Sequence, residues 1–156
     1  YLEGVSMVPL LTGETDTVRE HIFAEINFHT SYEPARCVRT GRYKYIRYYD
    51  TSYLKINRSN IDESLTKDYF MDHGLDEQKK DEEALYDLVY DPGERRNLAE
   101  KPEYEEVLLD MRSRLEDWQE KTDDAVRTGL MEVKTGWKVN RKECLKASSK
   151  NPEDYV

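Results

Sequence analysis

Glu25, His29, Tyr32 and Arg36 are the residues of this chain whose types and spacing suit binding chemistry. A neutral imidazole can donate to or accept from a hydroxyl, a carboxylate accepts from hydroxyls or an amine, and a guanidinium grips an oxyanion through a rigid fork. Glu25 falls near the end of one strand-like run, His29 and Tyr32 in an irregular stretch, and Arg36 at the start of the next strand-like run. Polar side chains on a loop held between strands suit ligand recognition. A plainer reading stands beside this one. His29 could satisfy a backbone group of its own loop, and Arg36 could pair with a carboxylate at a seam between domains.

The other reactive side chains carry less. Cys37 and Cys144 form neither a metal-ligand spacing nor a disulfide framework. Cys37 is followed by Arg39 and Arg42, but no arginine stands six residues after it, which removes a phosphatase loop from consideration. His21 and His73 have no partner legible in the sequence.

The elements that must position these residues are few. Residues 1–20 read as a loop or linker with a short apolar piece, Val8–Leu11, in which Pro9 argues against a central strand. Residues 21–27 alternate as a strand, with Ile22, Ala24 and Ile26 on one face. Residues 35–40 and 42–48 form an expected hairpin about Thr40-Gly41, which would put Val38 opposite Tyr43 and Arg36 opposite Tyr45. Residues 50–82 are polar and lack a clean period, with one helical turn expected near 63–69. Residues 84–90 read as a further strand, and Asp91-Pro92-Gly93-Glu94 as the turn after it.

Pro102 opens the clearest helix, running to about Lys121. Tyr104, Val107, Leu108, Met111, Leu115 and Trp118 form its apolar stripe, and Arg112–Glu116, Asp110–Arg114 and Asp117–Lys121 are spaced for pairing on its outer face. Residues 125–156 read as an extended strap anchored by Trp137. The expected fold is α+β: a small antiparallel sheet of about four strands with one long C-terminal helix packed on it.

Composition narrows the partners. A net charge of −9 argues against nucleic acid, and confines any site for a polyanion to a local patch. No stretch is long enough to span a membrane. Only 37% of residues are hydrophobic, yet 12 are tyrosines, so a piece that docks onto something larger is expected alongside a small domain with a wet core. The chain begins with Tyr, which suggests a part of a longer protein whose preceding part could carry a targeting signal.

Four stretches resemble the sulfatase family. Gly4-Val5-Ser6-Met7-Val8-Pro9-Leu10-Leu11-Thr12-Gly13 is similar to the segment that closes the large sulfatase domain. His29-Thr30-Ser31-Tyr32-Glu33-Pro34-Ala35-Arg36-Cys37-Val38-Arg39-Thr40, with Arg42-Tyr43-Lys44-Tyr45-Ile46, resembles the heparan N-sulfatase (sulfamidase) branch. Leu85-Tyr86-Asp87-Leu88, Asp91-Pro92-Gly93-Glu94 and Asn97-Leu98-Ala99 match a stretch common to many sulfatases. The helix ending in Trp118, followed by Thr122-Asp123-Asp124, completes the set.

This resemblance implies a C-terminal subdomain over 21–124, preceded by the end of a linker and followed by the tail 125–156. It implies a parent enzyme that hydrolyses sulfate esters or sulfamates with a formylglycine and a calcium ion, both in a preceding catalytic domain. Neither cysteine here has Pro at plus two and Arg at plus four, so this chain on its own is expected to be inactive. The implied partners are that catalytic domain and a sulfated saccharide, with self-association where the docking face is bare. His29, Glu25, Tyr32 and Arg36 become the expected substrate-binding residues, His29 holding the sugar. The parent would act on sulfated glucosamine of glycosaminoglycans, in a secreted, periplasmic or lysosomal setting. An arylsulfatase or another carbohydrate O-sulfatase, and a non-catalytic binding or scaffolding module, are the alternatives.

Overall fold

The computed structural model describes residues 4–156. Four strands, β1 (His21–Phe28), β2 (Tyr32–Thr40), β3 (Tyr43–Tyr48) and β4 (Glu83–Asp87), pair antiparallel in the order β1-β2-β3-β4. A meander of this kind forms from local pairings, each strand meeting the next in sequence. Helix α1 (Val8–Leu11) precedes the sheet, α2 (Leu65–Asp72) lies within the β3–β4 connection, and α3 (Glu105–Lys121) follows it. The sheet and the long helix on it are the α+β architecture expected from the sequence.

The pleat sorts side chains to two faces. Phe23, Val38, Tyr45 and Leu85 are successive cross-strand neighbours on one face. Val38, Tyr45 and Leu85 are fully buried against Leu108, Met111 and Leu115 of α3, with Tyr104, Val107 and Trp118 packed at the margins. Trp118 stacks on Phe23 with ring centroids 5.0 Å apart. The apolar stripe of α3 is therefore the second half of the core. Pro102 opens a 3-10 turn, Pro102–Tyr104, that leads into α3. Asp110 and Arg114 pair at 2.8 Å along the outer face, but Arg112 turns away from Glu116 and pairs with Glu83 of β4. That carboxylate also accepts from the buried Tyr45 hydroxyl, so it offers Arg112 a fixed partner rather than a mobile surface one.

Several local expectations shift. The hairpin register pairs Val38 with Tyr45 and Arg36 with Arg47, so the two-residue loop is Gly41-Arg42 rather than Thr40-Gly41. Gly41 does not take a positive φ. Thr40 makes the turn instead: its Oγ1 accepts from the Tyr43 N–H at 2.9 Å and donates to the Tyr43 carbonyl at 3.2 Å. The slip is by two residues, which preserves the face of every side chain.

β4 stops at Asp87, where the Asp87 side chain accepts from the backbone of Val89 and Tyr90 and bends the chain out of the sheet. In the turn that follows, Glu94 takes the left-handed conformation, at φ 51°, and Gly93 does not. Asp91 holds that turn by accepting from the N–H groups of Arg95 and Arg96. The polar stretch before β4 contains α2, which starts two residues after the start of the expected turn and ends three residues after its end, with Ser64 as its N-cap.

Ile22, Ala24 and Ile26 share a face as expected, but it is the face opposite α3, and all three are exposed. The apolar piece near the start forms α1, whose Val8 and Leu11 are also exposed.

Candidate functional site

The site begins with an arginine that the sheet buries. Arg36 is 1% exposed and sits on the α3 side of β2, one pleat repeat from Val38. A guanidinium has five N–H donors, and here each has an acceptor. Nε and Nη2 grip Asp124 in a fork, both at 2.8 Å. Nη1 donates to the carbonyls of Ile26 and Ala35, and Nη2 also to the Asn27 side chain at 3.0 Å. Glu25 lies 3.6 Å from Nε and remains half exposed.

Asp124 reaches this place because α3 ends three residues earlier, at Lys121. Thr122 caps the helix, Asp123 takes the left-handed conformation at φ 51°, and the chain turns back so that Asp124 enters the sheet edge. Gln119 donates to Asp124 at 2.8 Å and accepts from the Tyr49 hydroxyl at 2.9 Å, which extends the network to β3's end. Burial alone would raise the Asp124 carboxyl. The bonds from Arg36 and Gln119 outweigh it and hold that carboxyl below the usual aspartate value. Burial likewise works against the Arg36 charge, and Asp124 more than restores it.

Around this pair is an open cleft of about 840 Å³, lined by Glu25, Asn27, Trp118, Lys121, Asp123 and Met131 among others. Its floor is the satisfied Arg36–Asp124 pair. Its accessible polar groups are Glu25, Lys121 and Asp123. The Trp118 indole N–H, buried at the cleft wall, has no acceptor among the described residues.

The four sequence-predicted residues do not converge on one spot. Glu25 and Arg36 belong to the cleft. The Tyr32 hydroxyl accepts from the Met131 N–H at 2.7 Å, so this ring anchors the tail, and burial raises its pKa despite that bond. His29 stands at the tip of the β1–β2 turn, exposed. The turn beneath it is fixed. Asn60 accepts from the N–H groups of Thr30 and Ser31 at 3.1 and 3.0 Å, and the Thr30 hydroxyl donates to the Ser59 carbonyl at 2.7 Å. The His29 N–H donates to the Ser31 carbonyl at 3.3 Å, and its ring has no hydrogen-bond partner among the described residues.

Residues 125–156 pack along the end of the sheet without a long element of their own. Trp137 meets the Phe28 ring edge-on at 5.3 Å, and Asn140 donates to the Thr30 carbonyl at 2.7 Å. The tail then closes on itself, with Asn140 bridged to Tyr155 and the Val156 N–H donating to the Val139 carbonyl.

Asp124, Asn27 and Gln119 were not singled out by sequence reasoning as site residues. Asp124 alone had a signal, in the Thr122-Asp123-Asp124 stretch. Asn27 and Gln119 look like ordinary polar positions until the fold brings them to Arg36.

Neither cysteine of this chain has the Pro at plus two and Arg at plus four of the formylglycine pattern. Cys37 is followed by Arg39 and Gly41 at plus two and plus four, and Cys144 by Lys146 and Ser148. Among the described residues no three His, Cys, Asp or Glu side chains gather as a metal site.

Residues 23–151 match the family model of the C-terminal region of aryl-sulfatase. The chain is similar to a Delta 4,5-hexuronate-2-O-sulfatase of Bacteroides thetaiotaomicron, 33% identical over 129 residues, covering 80% of this chain and 21% of that protein. It is similar to an ulvan-active sulfatase of Formosa agariphila, 26% identical over 137 residues, covering 85% of this chain and 27% of that one. Among solved structures it resembles a 2-O GAG sulfatase with a TM-score of 0.55 and 28% identity, over 85% of this chain and 22% of the other. The chain thus spans about a fifth to a quarter of the relatives it matches. With nearly all of the sheet, the helix and the Arg36–Asp124 clamp inside the matched span, this chain belongs to the sulfatase family, as its C-terminal region.

Proposed function

We propose that this chain is the docking and substrate-recognition region of a sulfohydrolase that removes sulfate from glycosaminoglycan-type saccharides. The observation that carries the reading is His29: an exposed imidazole on a turn pinned by Asn60 and Asn140, within a family whose members similar to this chain act on 2-O-sulfated hexuronate, ulvan and glycosaminoglycan sulfate. A side chain that is exposed yet held by a rigid turn can read a ligand without first being ordered by it. Glu25, half exposed at the cleft, adds an acceptor for hydroxyls. Arg36 acts as a positioning residue, since its donors are spent on the protein, and Tyr32 holds the tail in place.

The formylglycine and calcium belong, in this reading, to a catalytic region elsewhere in the same protein, onto which this chain docks. The bare face of Ile22, Ala24 and Ile26 supports such docking. Sulfated glucosamine, with an N-sulfate, is the substrate favoured by the His29–Ile46 motif. A 2-O-sulfated uronate is the second reading, favoured by the 33% identical relative.

The test is a sulfatase containing this region, assayed on N-sulfated, 2-O-sulfated and 6-O-sulfated disaccharides and on a small aryl sulfate. His29→Ala should lower activity on the preferred saccharide by the loss of about 0.5–1.5 kcal/mol of binding, and leave the aryl sulfate untouched. Equal loss on both would make His29 structural. No loss on either would remove it from recognition, and no turnover of any sulfated saccharide by the wild-type enzyme would sink the reading.

A further inference from the structure

Charge is divided unevenly along this chain. Residues 125–156 hold seven Lys and Arg against four Asp and Glu, a net +3 within a chain of net −9, which leaves −12 on residues 1–124. The cations concentrate further. Between 133 and 142 there are four, Lys134, Lys138, Arg141 and Lys142, and no acid.

Two of these four are committed. Lys142 pairs with Asp50, and Arg141 donates to the Glu153 carbonyl at 2.8 Å. Lys134 and Lys138 are exposed and have no carboxylate partner among the described residues. Each lies over an aromatic ring: Lys134 Nζ is 5.5 Å from the Trp137 ring centroid, and Lys138 Nζ 4.0 Å from that of Tyr155. Trp137 itself is 43% exposed, although its edge contact with Phe28 fixes it. An exposed ring, Trp137, and a half-buried one, Tyr155, alternate here with ammonium groups that have no carboxylate partner among the described residues.

The stripe also has a place. Trp137 rests on Phe28 and Asn140 bonds Thr30, the two residues that flank His29. The tail therefore brings its cations and its ring to the turn that carries the proposed sugar-reading imidazole.

We infer that Lys134, Trp137 and Lys138 form an extension subsite for a sulfated polysaccharide, holding sugar residues beyond the one read by His29. This deepens, and rests on, the sulfated-saccharide reading above. The apolar face of a pyranose can lie on the Trp137 ring, while ammonium groups on either side meet sulfates. An acidic body around a basic stripe directs a polyanion to that stripe and repels it elsewhere. The arrangement suits a chain with sulfates on a sugar backbone better than a nucleic acid, because one fixed ring offers a single platform and the surrounding charge is negative.

The experiment titrates this chain with a sulfated heparin decasaccharide, its desulfated counterpart and single-stranded DNA of matched charge, following tryptophan fluorescence at two salt concentrations. The wild-type chain should bind the sulfated decasaccharide in preference to both controls, more weakly at high salt. Lys134→Ala with Lys138→Ala should weaken that binding roughly three- to thirtyfold, the range expected for two exposed charge contacts. Trp137→Ala should abolish the fluorescence change and the preference for saccharide over DNA. Absence of binding, equal binding by the double variant, or DNA bound as tightly as the saccharide would each overturn the subsite. In a sulfatase containing this region, the double variant should raise KM for the decasaccharide and keep turnover of a sulfated disaccharide. An enzyme inactive on every sulfated saccharide would instead count against the function proposed above, whatever the binding result.

Discussion

Two rows of side chains lie side by side on the α3 face of the sheet, one pleat repeat apart, and are held by opposite means. The first is Phe23, Val38, Tyr45 and Leu85; the second is Glu25, Arg36, Arg47 and Glu83. The apolar row is stabilised by leaving water, a force without direction. The charged row places two arginines next to each other across strands, which repels unless each is drawn away. Arg36 is drawn to Asp124 and Glu25, Arg47 lies over the Tyr49 ring at 5.3 Å, and Glu83 is taken by Arg112 and Tyr45. Apolar rows of this kind tolerate repacking within their volume. The charged row works only with its specific partners, and this ties the chain leaving α3 to the sheet.

The widest separation between the rows should come from removing one partner. Asp124→Ala leaves a buried guanidinium unpaired and should cost about 3–5 kcal/mol in denaturant unfolding. The double replacement Arg36→Met with Asp124→Leu should recover most of that loss. A double variant as unstable as the single one would show that Arg36 matters for shape, as a core residue does, and the contrast would fail.

Leu115→Ala should cost roughly 2–5 kcal/mol, because Leu115 is 1% exposed within the core. Here no second substitution on the sheet should restore stability by pairing. A loss near zero would place the α3 stripe at the surface.

Acid sharpens the comparison further. Burial would raise the Asp124 and Glu83 carboxyls, but bonds from Arg36 and Gln119 to the first, and from Arg112 and Tyr45 to the second, leave both below their ordinary values. A carboxylate whose folded pKa is depressed adds stability that is present above its unfolded pKa and lost as pH falls through the folded one. Stability should therefore decline below about pH 4, and Asp124→Ala should flatten that decline while Leu115→Ala leaves its slope unchanged.

The smallest effect belongs to the opposite face. Ile22→Thr should change the stability of this chain by less than about 0.5 kcal/mol, as exposed sites do. In a sulfatase containing this region the same change should cost more, since docking would bury it. Equal costs in both settings would remove that face from the docking surface.

Periodicity in the sequence settled the strands, the long helix and the apolar stripe of that helix, because alternation by two and recurrence near 3.6 are consequences of covalent geometry. Leu115 was legible as core for that reason. The motif around His29 and Arg36 was legible too, as residue types in order. What they bond was not. Asp124 meets Arg36 across 88 residues because Asp123 turns left-handed after α3, and no pattern local to either residue encodes that meeting. Hairpin register fell in between: parity followed from alternation, whereas the two-residue slip depended on Thr40 holding the turn. Which apolar face of β1 is covered also lay beyond the sequence, since Ile22, Ala24 and Ile26 look more core-like than His21, Phe23 and Glu25. Tertiary structure decided it, because α3 can cover only one side of the sheet, and Trp118 found its stacking partner in Phe23 on that side.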